Sequence, residues 1–183
     1  MTDGRPKRKN IRLPGYDYSG AGCYFVTICT HQRQPLFASI AGAWKDWNTE
    51  PRVGADPRVR PWGTLGFVRG YLYALEEKYP GVKIDCCAVM PDHVHALVVI
   101  PGGHMGPPLP GMMQWYKTQV TNAYIRAVRA GEAAPYEKCL WQRNYYEHVI
   151  RNDADLADTR QYIENNPLKL KKGITNNGEK EAN

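Results

Sequence analysis

Residues 82–100 read VKIDCCAVMPDHVHALVVI, and this stretch decides the fold. Val82, Ile84, Cys86, Ala88 and Met90 alternate with more polar neighbours, which predicts one strand from Val82 to Met90 with that set on a single face. Pro91-Asp92 makes a tight turn. A second strand is predicted from His93 to Ile100, with Val94, Ala96, Val98 and Ile100 opposite the two histidines. Together they form a hairpin. Residues i and i+2 share a strand face roughly 6 to 7 Å apart, so His93 and His95 can both reach one divalent ion.

Working outward, CYFVTICT at 23–30 is β-branched and aromatic, a buried strand. Leu65, Val68, Leu72, Leu75 and Tyr79 recur at steps of three and four, which predicts a helix that Pro80-Gly81 ends. After the Gly/Pro loop at 101–111, a helix is predicted from about Met112 to Arg129, with Met113, Tyr116, Val120, Tyr124 and Val128 as its buried stripe. YYEHVI, ending at Ile150, is a fourth strand. Asn152 or Asp153 caps a last helix carrying Asp155, Asp158, Tyr162 and Asn166, and Pro167 ends it or lies just past its end. The order strand, helix, strand, strand, helix, strand, helix predicts an α+β fold: a ferredoxin-like α/β sandwich on an antiparallel sheet, with an additional C-terminal helix carrying the tyrosine.

At 183 residues the chain is expected to hold one main domain at 23–172, preceded by a basic arm at 1–22 and followed by a flexible tail at 173–183. Residues 38–62 read as an irregular loop insertion with a small repeat, Pro51-Arg52-Val53 and Pro57-Arg58-Val59. The apolar runs are far shorter than a membrane span, and the polar start at Met1–Asn10 does not read as a signal peptide. Five cysteines without a CxxC pair fit reduced thiols in a cytoplasmic protein. The formal charge of +6 favours a polyanionic partner, most plausibly nucleic acid.

His-x-His alone decides little, because strand histidines are often ordinary hydrogen-bonded residues. Here a helix places Tyr162 and Asn166 on one face, so both can address the same small volume. Two imidazoles leave an ion open to a phosphate oxygen and water, and Asn166 has a carbonyl oxygen to offer as a third ligand. Its bland reading is a helix-end residue before a proline. Tyr162 is either a buried aromatic or a phenol nucleophile; Leu156 and Ile163 mark the apolar side of the helix and leave Tyr162 nearer Asp155, Asp158 and Asn166. His148 is a rival ligand, a DNA contact or a structural residue. Lys117 is a phosphate contact or a solvated lysine. Arg8, Lys9 and Arg12 in the arm, and Arg143 and Arg151 beside Trp141, Tyr145 and Tyr146, are candidate DNA contacts; core packing is the alternative for Trp141 and one tyrosine.

At these residues the chain resembles a known family. MPDHVHALVVI at 90–100 is similar to the His-hydrophobe-His (HUH) motif of single-tyrosine transposases that move single-stranded DNA. WQRNYYEHVIRND at 141–153, YIENNP at 162–167 and RLPGYDYSGAGCYFVTICTHQRQPLF at 12–37 resemble the REP-associated tyrosine transposases. The resemblance implies metal ligation by His93 and His95, a nucleophile at Tyr162, and a polar ligand at Asn166, where insertion-sequence relatives carry glutamine. It implies cleavage of single-stranded DNA beside hairpins with Mg²⁺ or Mn²⁺, by a monomer or a homodimer. The loops at 38–62 and 101–110 match no pattern of that family. Two other functions fit the same fold: a non-catalytic binder of hairpin DNA or RNA, and a metal-independent RNase with histidine as general base.

Overall fold

The computed structural model describes residues 20–38, 66–102 and 106–178, the last of these as backbone only from 167 onward. Arg8, Lys9, Arg12, His104, nearly all of the 38–62 loop and the last five residues lie outside the described residues.

The elements are β1 (Gly22–Cys29), α1 (Phe67–Lys78), β2 (Lys83–Met90), β3 (His93–Ile100), α2 (Leu109–Arg129), β4 (Tyr146–Ile150) and α3 (Asp153–Gly178). The sheet is ordered β2-β3-β1-β4 and every neighbouring pair is antiparallel. Helix α1 carries the chain from β1 to β2 and leaves a gap that β3 fills, the split β-α-β arrangement. This is the ferredoxin-like α+β fold with one helix added.

One face of the sheet carries the main core. Tyr24, Val26 and Ile28 of β1 and Val94, Ala96, Val98 and Ile100 of β3 pack there against Leu72 and Leu75 of α1 and Met113, Tyr116, Val120 and Tyr124 of α2. Buried phenols need partners; the Tyr116 hydroxyl donates to the Val68 carbonyl at 2.9 Å and that of Tyr124 to Ala134 at 2.9 Å. The opposite face holds a much smaller cluster of Ala88, Leu97 and Ile163, flanked by Phe25, Cys86 and Leu156. Helix α3 lies on this thin face.

Three expectations change. Strand β2 does not alternate without interruption: its pairing with β3 slips between Ile84 and Cys86, so Asp85 is an extra residue. Ile84 stays in the main core while Cys86 and Ala88 cross to the α3 face. Helix α2 begins at Leu109 rather than near Met112, because Pro110 falls in its first turn, where a missing N–H costs nothing. Helix α3 runs through Pro167 to Gly178. A proline removes one internal hydrogen bond and disfavours a helical residue before it, which bends or weakens a helix without always stopping it. The start of α3 follows its cap: Asn152 Oδ1 accepts the Asp155 N–H at 2.9 Å.

Candidate active site

The β1–β3 register sets Thr27 opposite His95 and Cys29 opposite His93. Because side chains alternate, these four residues share the thin face with α3. The two imidazoles turn toward each other, and their Nε2 atoms lie 3.0 Å apart. His95 is 3% exposed; burial, then the neighbouring charges of His93 and Arg33, push its pKa down to about 3, so it is neutral at ordinary pH.

Each ring is held from behind. His93 Nδ1–H donates to Asp92 Oδ1 at 2.5 Å, which leaves the Nε2 lone pair pointing into the site. Arg33 donates to Asp92 Oδ2 at 3.2 Å. It also lies 3.3 Å from His93 Nδ1, but that hydrogen already points at the carboxylate, so Arg33 acts on Asp92. Burial works to raise the Asp92 pKa; the His93 hydrogen bond and the His93 and Arg33 charges outweigh it and hold it below the usual carboxylate value. Thr27 Oγ1 lies 2.8 Å from His95 Nδ1 and can donate to it or accept from it.

Arg33 reaches this position through an unusual backbone. Gln32 and Arg33 have φ of 53° and 57°, the left-handed region that costs a non-glycine residue about 1–2 kcal/mol. The fully buried Thr30 fixes the loop: its N–H donates to the Asp92 carbonyl at 2.9 Å, and its hydroxyl lies 2.7 Å from the Gln34 carbonyl. The strain is held next to the histidines.

Facing Nε2 atoms attract in two ways: one donates a hydrogen to the other, or both give lone pairs to a cation. Metal–nitrogen bonds of about 2.1 Å at about 90° would separate the two nitrogens by about 3.0 Å. The observed spacing meets that requirement, and the Thr27 hydroxyl serves either tautomer of His95. Among the described residues, no group of three or more His, Cys, Asp or Glu side chains is placed to hold a metal. A third protein ligand would have to be of another type. Asn166 has such a group: its Nδ2 is buried with no hydrogen-bond partner, and amide N and O are interchangeable by a flip.

Tyr162 is 47% exposed. Its ring meets that of His95 edge-on with centroids 5.4 Å apart, and that of Phe25 at 5.8 Å. Asn166 follows one turn later on the same side of α3. An ion pair and a side-chain hydrogen bond fasten this helix across the sheet. Arg160 grips Asp85, the extra residue of β2, donating from Nε and Nη2 at 2.7 and 2.6 Å. At the other edge His148 Nε2 lies 2.9 Å from each Asp155 oxygen, and this hydrogen bond is the largest cause of the lowered Asp155 pKa. His148 is thus engaged in seating α3.

The remaining candidates scatter. Lys117 is no solvated lysine: its Nζ donates to the Gln142 carbonyl at 2.6 Å and lies 3.2 Å from that of Arg143, and burial lowers its pKa to about 8. Arg143 and Arg151 are exposed. Trp141 is core, Tyr145 packs partly against it, and Tyr146 is 53% exposed. Thr27, Arg33 and Asp92 escaped the sequence reading. Asp92 touches the motif and could have been noticed; the other two arrive by long-range pairing.

The chain is similar to known proteins in sequence and in fold. The family described as IS200-like transposase matches residues 67–166, which contain both histidines, Tyr162 and Asn166. An uncharacterized protein of Haemophilus influenzae is 30% identical over 174 residues, 88% of each chain. A second protein of that organism, named a putative REP-associated tyrosine transposase, is 33% identical over 96 residues, 51% of this chain and 53% of its own. In fold, the chain is similar to a REP-associated tyrosine transposase solved bound to a REP hairpin, with a TM-score of 0.55 and 22% identity over 87% of this chain and 74% of that one. No described helix is long and apolar enough to cross a membrane. With more than half its length matched, and with the histidine pair and the tyrosine helix inside the match, the chain belongs to the IS200-like transposase family.

Proposed function

We propose that this protein is a metal-dependent endonuclease and strand transferase acting on single-stranded, hairpin-forming repeat DNA. The observation that carries the reading is the half-exposed Tyr162, packed edge-on against His95 on the face where the two Nε2 atoms converge. The Tyr162 phenol oxygen attacks the scissile phosphorus in line. The bond to the 3′-oxygen breaks, the phenol proton is lost, and the departing strand takes up a proton to end in a 3′-hydroxyl. The 5′-phosphate stays on the tyrosine and retains the energy of the phosphodiester, so reversal against another 3′-hydroxyl joins strands without ATP.

His93, His95 and the Asn166 amide would hold Mg²⁺ or Mn²⁺. The ion would polarise the phosphate and stabilise its developing charge. Asp92 and Thr27 fix the ring orientations, and Arg33 holds the Asp92 carboxylate from the other side. The basic balance of the chain suits a DNA substrate.

The test is incubation with a labelled hairpin oligonucleotide and Mn²⁺. Cleavage with an SDS-stable protein–DNA adduct, both lost in Tyr162→Phe and in EDTA, is the expected result. Tight hairpin binding that survives EDTA without any scission would replace this reading with that of a non-catalytic hairpin binder. Cleavage of RNA but not DNA in EDTA would point to the histidine general base instead.

A further inference from the structure

Helix α3 fixes the backbone of Tyr162 but not the aim of its phenol. Among the described residues the Tyr162 hydroxyl makes no hydrogen bond, and its ring meets two others, those of His95 and Phe25. The tilt of this half-exposed side chain is therefore set by ring packing. His95 is committed elsewhere, with Thr27 at its Nδ1 and His93 at its Nε2. Phe25 has no polar group and no chemistry of its own to perform.

Side chains alternate along β1, so the half-buried Phe25 lies on the thin face with Thr27. The register sets it opposite Leu97 of β3 on one side and His148 of β4 on the other. It packs against the small cluster of Ala88, Leu97 and Ile163. Its ring lies 5.3 Å from that of His95 with the planes 30° apart, and 5.8 Å from that of Tyr162 with the planes 81° apart. The Tyr162 and His95 centroids are 5.4 Å apart at 70°, so the three rings close a nearly equilateral triangle. Two rings close to parallel form a wall, and Tyr162 stands across both. Edge-to-face packing at such separations is an arrangement that aromatic quadrupoles favour.

We propose that Phe25 is the positioning residue of the nucleophile. Its ring, anchored in β1 rather than on α3, sets the tilt of Tyr162 so that the phenol oxygen addresses a phosphate held beside the histidines. In-line attack needs reacting atoms about 3–3.5 Å apart, and a misplacement of about 1 Å costs on the order of 100-fold in rate. An aliphatic side chain of similar bulk keeps the burial but offers neither a ring face nor a ring edge. This role rests on the function proposed above, because a phenol needs aiming where it is the nucleophile.

The experiment has two arms, both on the full-length protein. In the first, NMR follows ring-labelled tyrosine in the metal-free, DNA-free protein, with Tyr162→Phe identifying the Tyr162 signal. Phe25→Leu should move that signal and leave those of Tyr116 and Tyr124, on the opposite face, in place. In the second arm, single-turnover adduct formation on the labelled hairpin is followed while DNA and Mn²⁺ are varied. Phe25→Leu should lower the maximal rate about 10–100-fold and leave the half-saturating DNA and Mn²⁺ concentrations within about twofold of the parent's. Amide hydrogen exchange across residues 153–166 should stay as in the parent, which separates aiming the phenol from seating the helix. An unmoved Tyr162 signal, a parental maximal rate, a loss confined to DNA or Mn²⁺ affinity, or raised exchange across 153–166 would overturn the proposal. If Phe25→Leu does not fold, Phe25→Met, a flexible apolar chain of similar bulk, takes its place under the same criteria. Should the parent form no adduct, the cleavage reading fails, and the first arm alone decides whether Phe25 orients the phenol. Should the parent form it and Phe25→Leu match its rate, the cleavage reading stands and the role of Phe25 falls.

Discussion

Much of the order around the two imidazoles comes from side chains placed behind them. Asp92 sets the His93 tautomer, and it is itself held by Arg33 from a strained loop. Outer partners of metal-binding histidines usually matter about 10–100-fold. Asp92→Ala should therefore weaken Mn²⁺ binding by about that factor while the fold persists, as titration calorimetry on the DNA-free protein would read. An unchanged affinity would remove Asp92 from the metal's support. The buried His95 has an acid signature of its own. Its pKa in the folded state, about 3, lies below the ordinary 6.5, so the unfolded chain binds the proton more readily. The stability associated with neutral His95 is thus fully present above about 6.5 and is lost as pH falls from there toward 3. The lowered carboxyls of Asp92 and Asp155 act in the same direction, but only near and below the ordinary carboxylate value. Metal-free protein should lose thermal stability between pH 6.5 and 4.5, and His95→Asn should flatten that segment of the curve.

Helix α3 carries Tyr162 and Asn166, and among its described residues few apolar side chains hold it to the sheet. Ile163, 1% exposed, is the one buried α3 residue in the small cluster, with Leu156 packed at its edge. Arg160–Asp85 and His148–Asp155 add direction at the two sheet edges. Removing a buried isoleucine to alanine costs about 2 kcal/mol or more. Ile163→Ala should then raise amide hydrogen exchange across residues 153–166 and reduce adduct formation, while β1 and β3 keep their protection. Uniform loss of protection would show that the helix and the sheet unfold as one unit. Much of this element was legible beforehand: a cap at Asn152 or Asp153, the spacing of Tyr162 and Asn166, and the apolar side marked by Leu156 and Ile163 follow from local spacing, which a helix preserves. The hairpin strand His93–Ile100 was legible for the same reason. The seat of α3 was not. It depends on Asp85 standing out of register, and a period of two cannot announce its own interruption. Nor could local spacing bring Thr27 to His95, or Arg33 to Asp92, because strand pairing across more than 55 residues does that.

At the scale of the molecule the sheet separates stability from chemistry. Among the described residues, its main-core face buries Tyr24, Val26, Ile28, Tyr116 and Tyr124 with two helices, while its other face has Ala88, Leu97 and Ile163 in the buried cluster beneath α3. An unbalanced sandwich of this kind lets the thin face carry imidazoles, a strained loop and a half-exposed phenol, because the thick face supplies most of the burial that keeps the chain folded. The two faces should therefore respond oppositely to substitution. Ile28, fully buried on the thick face, is one residue from Thr27, whose side chain reaches the site. Ile28→Ala should cost about 2–5 kcal/mol, which for a chain of this length lowers the Tm by roughly 4–20 °C. At temperatures well below its melting point it should still form the covalent adduct. Tyr162→Phe removes only a hydroxyl from a half-exposed ring whose contacts with His95 and Phe25 remain, so its stability should stay within about 0.5 kcal/mol of the parent while adduct formation vanishes. Calorimetric scans of the two variants beside an SDS gel of the reaction products make the comparison. If Tyr162→Phe melts as early as Ile28→Ala, the phenol is structural, and the division of labour between the two faces is wrong.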